Sequence, residues 1–149
     1  MRPVFLIFSF VFLTSCFDKG DCLITSTNLV KITLQKKQDG SPKTVIFLKV
    51  QEMYNLDTVD FVPDTIGVTT LQLPLNPNLQ ETSFFFLTKD SLPYHLTLGY
   101  NTYTRIISAD CGAYLYYNKL SVKDTNFDST KVVFPQLLNS VNKNLEVFF

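Results

Sequence analysis

A cysteine near the start of the chain stands in a sequence that favours covalent attachment of lipid. Cys16 follows Leu13, Thr14 and Ser15, so an aliphatic residue and two small polar residues precede the thiol. A cysteine in this setting can receive a diacylglycerol group and become the first residue of the mature chain. The sequence therefore predicts that Cys16 is acylated.

The residues before Cys16 have the organisation of a secretory signal peptide. Arg2 supplies a positive start, and ten uncharged residues run from Val4 to Leu13. A transmembrane helix needs about twenty apolar residues, so this run is too short to cross a bilayer. The segment resembles the pattern read by lipoprotein signal peptidase, whereas ordinary cleavage near Ser15 without acylation is the alternative. Two or three acyl chains would hold the domain firmly at a membrane.

The other two cysteines can form a second covalent link. The chain has three cysteines, and acylation of Cys16 would leave Cys22 and Cys111. An oxidising compartment favours a disulfide between such a pair. The loop that it closes holds about 90 residues, for which chain entropy gives roughly 4.6 kcal/mol of stabilisation. The alternative is that Cys22 lies on a frayed tether and Cys111 is a small buried hydrophobic residue.

Residues typical of catalytic and metal sites are sparse. The chain has one histidine, His95, and neither a Gly-x-Ser-x-Gly turn nor a glycine-rich phosphate loop. Asp124, Asn126 and Asp128 are spaced like the start of an EF-hand loop, but Ser129 stands where that loop needs glycine. We therefore expect no enzyme activity, no cofactor and no metal site. The formal net charge of zero gives no reason to expect nucleic acid binding.

A group of tyrosines offers a binding surface instead. Phenol rings suit half-exposed positions where the hydroxyl meets water or a ligand, and they can stack on sugar rings. Tyrosine is also an ordinary strand residue whose cross-strand pairs stabilise sheets, so both interpretations stay open. The group lies within two dozen residues and comprises Tyr94, Tyr100, Tyr103, Tyr114, Tyr116 and Tyr117.

The elements that position these groups are β-strands, because apolar residues recur with a period of two. Val30, Ile32 and Leu34 alternate with polar residues, as in a strand with one buried face. Four consecutive apolar residues from Phe84 to Leu87 predict a strand covered on both faces. The predicted strands are Val30–Gln35, Thr44–Val50, Leu71–Leu75, Thr82–Thr88, His95–Tyr100, Tyr103–Ser108, Tyr114–Leu120, Lys131–Phe134 and Leu145–Phe149.

Turn signals separate these strands. Asp39, Gly40, Ser41 and Pro42 predict a turn that joins the first two strands in a hairpin. Gly99–Thr102 is interpreted as a second turn, and Pro135–Val141 is the one candidate for a helical turn. Eight or nine short strands with such spacing predict an all-β, two-sheet antiparallel β-sandwich, for which an immunoglobulin-like topology is preferred.

The organisation that follows has three parts. Residues 1–15 are the lipoprotein signal peptide, residues 16–27 are a lipidated N-terminal tether, and residues 28–149 are the β-sandwich domain. Removal of the signal leaves 134 residues, which is enough for one domain.

The combination of these features resembles an uncharacterised lipoprotein family of Bacteroidota that is known as a domain of unknown function. The resemblance is carried by the acylation motif, the short tether ending in Cys22, the Leu- and Phe-rich strands, and Ser108–Gly112 followed by Tyr117–Leu120. It implies that Cys22 pairs with Cys111. It also implies an outer-membrane lipoprotein that faces the periplasm or the cell surface, with an unknown envelope protein or glycan as partner.

The resemblance implies a modification as well. Bacteria of this group attach O-glycans at Asp followed by Ser or Thr and then an aliphatic residue or Thr. The chain is similar to that signal at Thr58, Thr65, Ser91 and Ser129. Asp-Ser and Asp-Thr pairs also initiate turns, so both interpretations stay open.

These observations predict a lipid-anchored, non-enzymatic module of the cell envelope with a structural or interaction role. A glycan-binding or adhesion module that uses the tyrosine-rich face is the alternative. An enzyme of unfamiliar design is a further alternative, and a deep pocket with paired carboxylates would indicate it.

Overall fold

The computed structural model describes residues 22–53 and 67–149, and these residues form eight β-strands. Cys16, the signal peptide, Thr58 and Thr65 lie outside the described residues. The strands are β1 (Leu29–Gln35), β2 (Phe47–Glu52), β3 (Thr70–Pro74), β4 (Glu81–Thr88), β5 (Pro93–Ser108), β6 (Gly112–Thr125), β7 (Ser129–Val132) and β8 (Leu145–Phe148).

Two four-stranded sheets pack as a sandwich, which confirms the predicted all-β class. One sheet has the order β3-β1-β8-β7 and the other has the order β2-β4-β5-β6. All pairs are antiparallel except β1 with β8, which is parallel. The order differs from the preferred immunoglobulin topology, because β4, β5 and β6 follow one another as a meander in a single sheet.

The core lies between the inner faces of the two sheets. Val30, Ile32 and Leu34 alternate inward from β1 and are fully buried, as the period of two predicted. Phe84 and Phe86 project inward from β4, while Phe85 and Leu87 on its outer face are only partly covered. The prediction that both faces of this strand are covered is therefore met fully on the inner face and only in part on the outer face. Each fully buried large side chain stabilises the fold by about 1.5–3 kcal/mol.

The predicted first hairpin forms only beside its turn, where Gln35 and Pro42 make a single antiparallel bridge. The turn itself is present, because the backbone N–H of Ser41 donates to Asp39 Oδ1 at 3.0 Å and Lys36 N–H donates to the Ser41 carbonyl at 2.9 Å. The chain then leaves for the other sheet, where β2 pairs with β4. The physical reason is that both edges of β1 are already occupied, one by β3 and the other by β8.

The predicted turn at Gly99–Thr102 is also wrong. β5 continues through it for 16 residues and pairs with β6 on both sides of it. The register shifts between Gly99 and Asn101, so glycine here marks an irregularity within a strand. A Cβ atom at Gly99 would lie 2.4 Å from Cε of Lys123, so this long side chain would have to move to admit a larger residue.

The helical turn predicted within Pro135–Val141 is absent, and the described part of the chain contains no helix. Leu137 is fully buried and its N–H donates to the Tyr117 carbonyl at 3.2 Å. The Pro135 carbonyl accepts from Leu120 N–H at 3.0 Å, and Leu138 forms a bridge with Ser26. These long-range partners take the backbone groups that a helix would have paired internally.

Two buried polar residues, Asn144 just before β8 and Glu146 within it, are held by specific partners. Asn144 donates through Nδ2 to the Gln136 carbonyl at 2.8 Å and accepts at Oδ1 from Lys31 N–H at 3.0 Å. Glu146 accepts from Lys143 Nζ and, at 3.2 Å, from Gln35 Nε2. The hydrogen bond from Lys143 is the main reason that the pKa of Glu146 lies below its ordinary value of 4.5.

Candidate functional site

The hairpin formed by β5 and β6 continues beyond the sandwich. β5 pairs with β4 as far as Gly99, but it pairs with β6 as far as Ser108. Residues 103–116, which we call the arm, therefore form a ribbon of only two strands. At about 3.4 Å per residue, the six residues from Tyr103 to Ser108 extend for roughly 20 Å.

A disulfide joins the far end of the arm to the N-terminal segment. Cys22 and Cys111 are bonded, with 5.5 Å between their Cα atoms, so the predicted pairing is present. Cys111 lies between the two arm strands, one residue before Gly112, where φ is +71°. A glycine adopts this left-handed conformation at little cost, so the turn can close tightly beside the sulfur.

The residues after Cys22 lie against the domain rather than leading away from it. Asn139 donates through its backbone N–H to the Thr25 carbonyl at 2.8 Å and through Nδ2 to the Ile24 carbonyl at 2.9 Å. Thr27 N–H donates to the Leu137 carbonyl at 3.4 Å. The second half of the predicted tether is thus fixed to the fold at both of its ends.

Exposed apolar side chains flank the disulfide. Ile106 is 76% exposed and Leu23 is 75% exposed, and their neighbours Ile107 and Ile24 are also exposed. Ile106 and Ile107 precede the turn that holds Cys111, while Leu23 and Ile24 follow Cys22 directly. We call these four residues the tip cluster. The tip cluster was not predicted from the sequence, although the adjacent pair Ile106 and Ile107 beside a cysteine-containing turn was a signal for it.

The structure does not gather the six predicted tyrosines on one exposed face. Tyr100, Tyr116 and Tyr117 are buried, and Tyr94 is packed against the core, where its ring stacks on Phe127 at 4.6 Å. The predicted binding face of six residues is therefore wrong as a single surface. The reason is that Tyr94 and Tyr100 lie where β5 still belongs to the sandwich, whereas Tyr103 lies on the arm.

The remaining tyrosines share one face of the arm. Tyr103 lies opposite Tyr116, with ring centroids 5.5 Å apart, and Tyr114 lies opposite Arg105. The hydroxyl of Tyr116 lies 3.4 Å from Thr25 Oγ1, so the N-terminal segment covers part of this face. Tyr103 is 44% exposed and is the most accessible aromatic ring on the arm.

Tyr100 has a structural role at the base of the arm. Its hydroxyl donates to the Asn76 carbonyl at 2.7 Å and lies 2.7 Å from Thr82 Oγ1. Thr82 Oγ1 in turn accepts from Asn76 N–H at 3.2 Å. Burial raises the pKa of Tyr100 above 10.0, and burial likewise raises the pKa of Tyr117.

The residues considered for catalysis are not assembled into a pocket. His95 Nε2 lies 2.9 Å from Asp124 Oδ2, and both side chains are exposed on the outer face of the sheet. Within residues 22–53 and 67–149, no group of three potential metal ligands occurs. A cleft of about 470 Å³ is lined by Met53, Leu79, Gln80, Glu81 and Ser83.

Two of the four predicted O-glycosylation residues lie in the described part of the chain. Ser91 is exposed in the turn between β4 and β5, and Ser129 is exposed at the start of β7. Their hydroxyls are therefore accessible, and O-glycosylation of both stays a prediction.

In the described residues there is no helix long and apolar enough to span a membrane.

Comparison with known proteins identifies a family. No curated protein and no solved structure matches the chain. The family model DUF6452, a family of unknown function, matches residues 48–149, which include six of the described strands, the whole arm and Cys111. The matched part begins within β2 and covers about two thirds of the sequence. The chain therefore belongs to the DUF6452 family of unknown function.

Proposed function

We propose that this protein is a lipid-anchored lipoprotein of the cell envelope and acts there as a non-enzymatic structural or interaction module. Acylated Cys16 is its anchor, and the outer membrane is the site that the sequence resemblance favours. The β-sandwich is the part presented to the periplasm or to the cell surface.

The disulfide is the observation that carries this proposal. Structural disulfides persist in oxidising compartments outside the cytoplasm, which is where a signal peptide delivers a protein. Because Cys22 and Cys111 bond to each other, Cys16 is the one cysteine of the three left for a different chemistry. Cys16 follows the apolar run Val4–Leu13, as an acylated cysteine follows its signal peptide, so we infer that it is acylated.

The site chemistry supports a module that binds or supports rather than catalyses. The His95–Asp124 pair is exposed on an open sheet face, where water competes with any substrate. Acid–base and nucleophilic catalysis depend on groups held in a site that restricts water. The arm, in contrast, presents a rigidly braced surface, which suits contact with a partner.

The test is the fate of the protein in cells that express it natively. Labelled palmitate should enter the wild-type chain, and the chain should fractionate with membranes. Cys16→Ser should abolish the label and move the folded protein to the soluble fraction. Ser15→Ala, which keeps the cysteine, is the matched control. A Cys16→Ser protein that stays with membranes would refute the proposed anchor.

The stacked tyrosines of the arm favour a glycan-binding or adhesion module as the second candidate. Aromatic rings that are partly exposed and fixed in position provide a platform for the apolar face of a sugar ring. Tyr103 is the residue to test, because it is accessible and its ring is held by Tyr116. Binding to an envelope polysaccharide that is lost in Tyr103→Ala and retained in Tyr94→Phe would establish this function.

A further inference from the structure

We infer that the tip of the arm inserts into the surface of the membrane to which the protein is anchored. The inserting residues are those of the tip cluster: Leu23, Ile24, Ile106 and Ile107. This inference rests on the proposed anchor at Cys16 and adds an orientation and a lipid-contacting site.

The first argument is the distance between the anchor and the tip. Six residue steps separate Cys16 from Cys22, and a chain spans at most about 3.6 Å per residue, which gives a reach of about 20 Å. Cys22 is bonded to Cys111 at the end of the arm. The acyl chains are therefore tied closely to the arm tip, and the sandwich lies farther along the chain.

The second argument is the distribution of the apolar side chains. Ile106 pairs with Ala113, whereas Ile107 is the extra residue where the register shifts between Ile106 and Ser108. Both isoleucines are exposed at this end of the ribbon, and Leu23 and Ile24 expose apolar groups next to Cys22. Apolar side chains thus lie on both chain segments that the disulfide joins, and a bilayer can surround such a tip from all sides.

The third argument is the charge of the arm. Its charged residues are Arg105 and Asp110, which cancel formally. An arm of zero net charge gains little from anionic headgroups, so apolar contact must provide the attraction. Insertion should therefore occur in zwitterionic membranes and persist at high salt.

A tryptophan reporter tests the inference, because the chain contains no tryptophan of its own. Full-length protein carrying Ile106→Trp is purified with its acyl group and reconstituted into phosphatidylcholine vesicles with brominated acyl chains. Tryptophan in contact with these chains emits at shorter wavelength and loses intensity. We expect both changes for Ile106→Trp, at low and at high salt.

Leu48→Trp is the matched control. Leu48 is an exposed apolar residue, 46% accessible, on β2, which is the edge strand farthest from β6 in the same sheet. Its reporter should stay in water and keep its intensity. Ile107→Trp serves as a second probe if the Ile106 variant does not fold, since Ile107 is also exposed at the end of the arm.

Each other outcome overturns the inference in a distinct way. A tip reporter that behaves like the Leu48 reporter means that the arm stays in water. A shift to shorter wavelength without quenching means that a second copy of the chain covers the tip. Quenching that requires anionic lipid and disappears at high salt means headgroup attraction without insertion.

A separate measurement shows whether the proposed anchor at Cys16 is present. Mass spectrometry of the Cys16 peptide is performed before reconstitution and shows whether acyl chains are present. An unmodified Cys16 refutes the proposed function, and the insertion inference falls with it. An acylated Cys16 together with an unquenched tip reporter refutes the insertion alone.

Discussion

Burial and hydrogen bonding separate residues that look alike in the sequence. Tyr100 and Tyr103 are three positions apart in one strand, yet Tyr100 is 3% exposed and Tyr103 is 44% exposed. The difference arises because β4 accompanies β5 only as far as Gly99. One tyrosine closes the core of the sandwich, whereas the other is available to a ligand.

Replacing Tyr100 by phenylalanine tests this division. The change removes the shorter of the two hydrogen bonds to the Asn76 carbonyl, which keeps only Leu79 N–H at 3.4 Å. It also removes one of the two partners of the buried Thr82 hydroxyl. We expect the free energy of unfolding to fall by about 1–3 kcal/mol. Chemical denaturation of the purified domain measures it.

The matched control is Tyr103→Phe, which removes a hydroxyl from an exposed ring. Its effect should stay within about 0.5 kcal/mol, as for most surface substitutions. Equal losses in the two variants would contradict the structural role given to Tyr100.

Glu146 makes the stability of the domain sensitive to acid. Its pKa in the folded protein lies below the ordinary 4.5, so the unfolded chain binds more protons as the pH falls. The stabilisation is complete above about pH 4.5 and is lost as the pH decreases through the lower, folded value. The advantage of wild type over Glu146→Gln should accordingly be largest near neutral pH and shrink in acid.

Thermal melting of both proteins between pH 3 and pH 7 checks this expectation. Asp128→Asn is the control, because Asp128 is an exposed partner of Lys37 at 3.4 Å and surface pairs contribute little. A stability difference between wild type and Glu146→Gln that grows in acid would show that the pKa of Glu146 is not lowered by folding.

At the scale of elements, the disulfide braces a structure that is weak on its own. A two-stranded ribbon is marginally stable in water, and in residues 22–53 and 67–149 no third strand pairs with the arm. The bond to Cys22 fixes the end of the ribbon to a segment that is itself hydrogen-bonded to Asn139. The arm is therefore held at its base by the sandwich and at its tip by a covalent link.

Removal of both sulfurs, as Cys22→Ser with Cys111→Ser, should loosen the arm more than the sandwich. Chain entropy sets the loss of global stability at up to roughly 4.6 kcal/mol for a loop of this length. Hydrogen exchange should accelerate strongly at amides 103–116. Core amides such as those of Ile32 and Leu98 should exchange faster only to the extent that the global free energy of unfolding falls. A uniform change across the chain would contradict the bracing role.

The sequence predicted which residues form strands better than it predicted how the strands pair. The alternation of Val30, Ile32 and Leu34 reports a buried face, which is a local property. Pairing depends on which edges remain open, and the occupied edges of β1 forced Phe47–Glu52 into the other sheet. Gly99 was misinterpreted for a related reason, since glycine suits both a turn and a strand irregularity.

The site could be predicted only in part. Cysteine counting identified Cys22 and Cys111 because chemistry leaves few options for two thiols in an oxidising compartment. The burial of Tyr117 next to the exposed arm could not be foreseen, because it depends on where the neighbouring strand ends. Local sequence does not encode that end point.

At the scale of the whole molecule, the predicted glycosylation can be tested on the accessible serines. Native mature protein should be heavier than its sequence plus lipid by the mass of attached sugar. Ser91→Ala and Ser129→Ala should each remove one increment, since both hydroxyls face solvent. Intact mass spectrometry measures the increments.

Ser83→Ala is the control for that experiment. Its hydroxyl is hydrogen-bonded to Thr97 Oγ1 at 2.8 Å within the sheet, and no aspartate precedes it. The mass of this variant should differ from wild type by one oxygen only. A native mass equal to sequence plus lipid would refute glycosylation altogether.

The parallel pairing of β1 with β8 has a consequence for biogenesis. β8 lies between β1 and β7, and its Leu145 and Val147 fill the core. The first sheet therefore cannot close until residues 145–148 have been synthesised. Since contacts between such distant segments form slowly, closure of this sheet should be a late and slow step of folding.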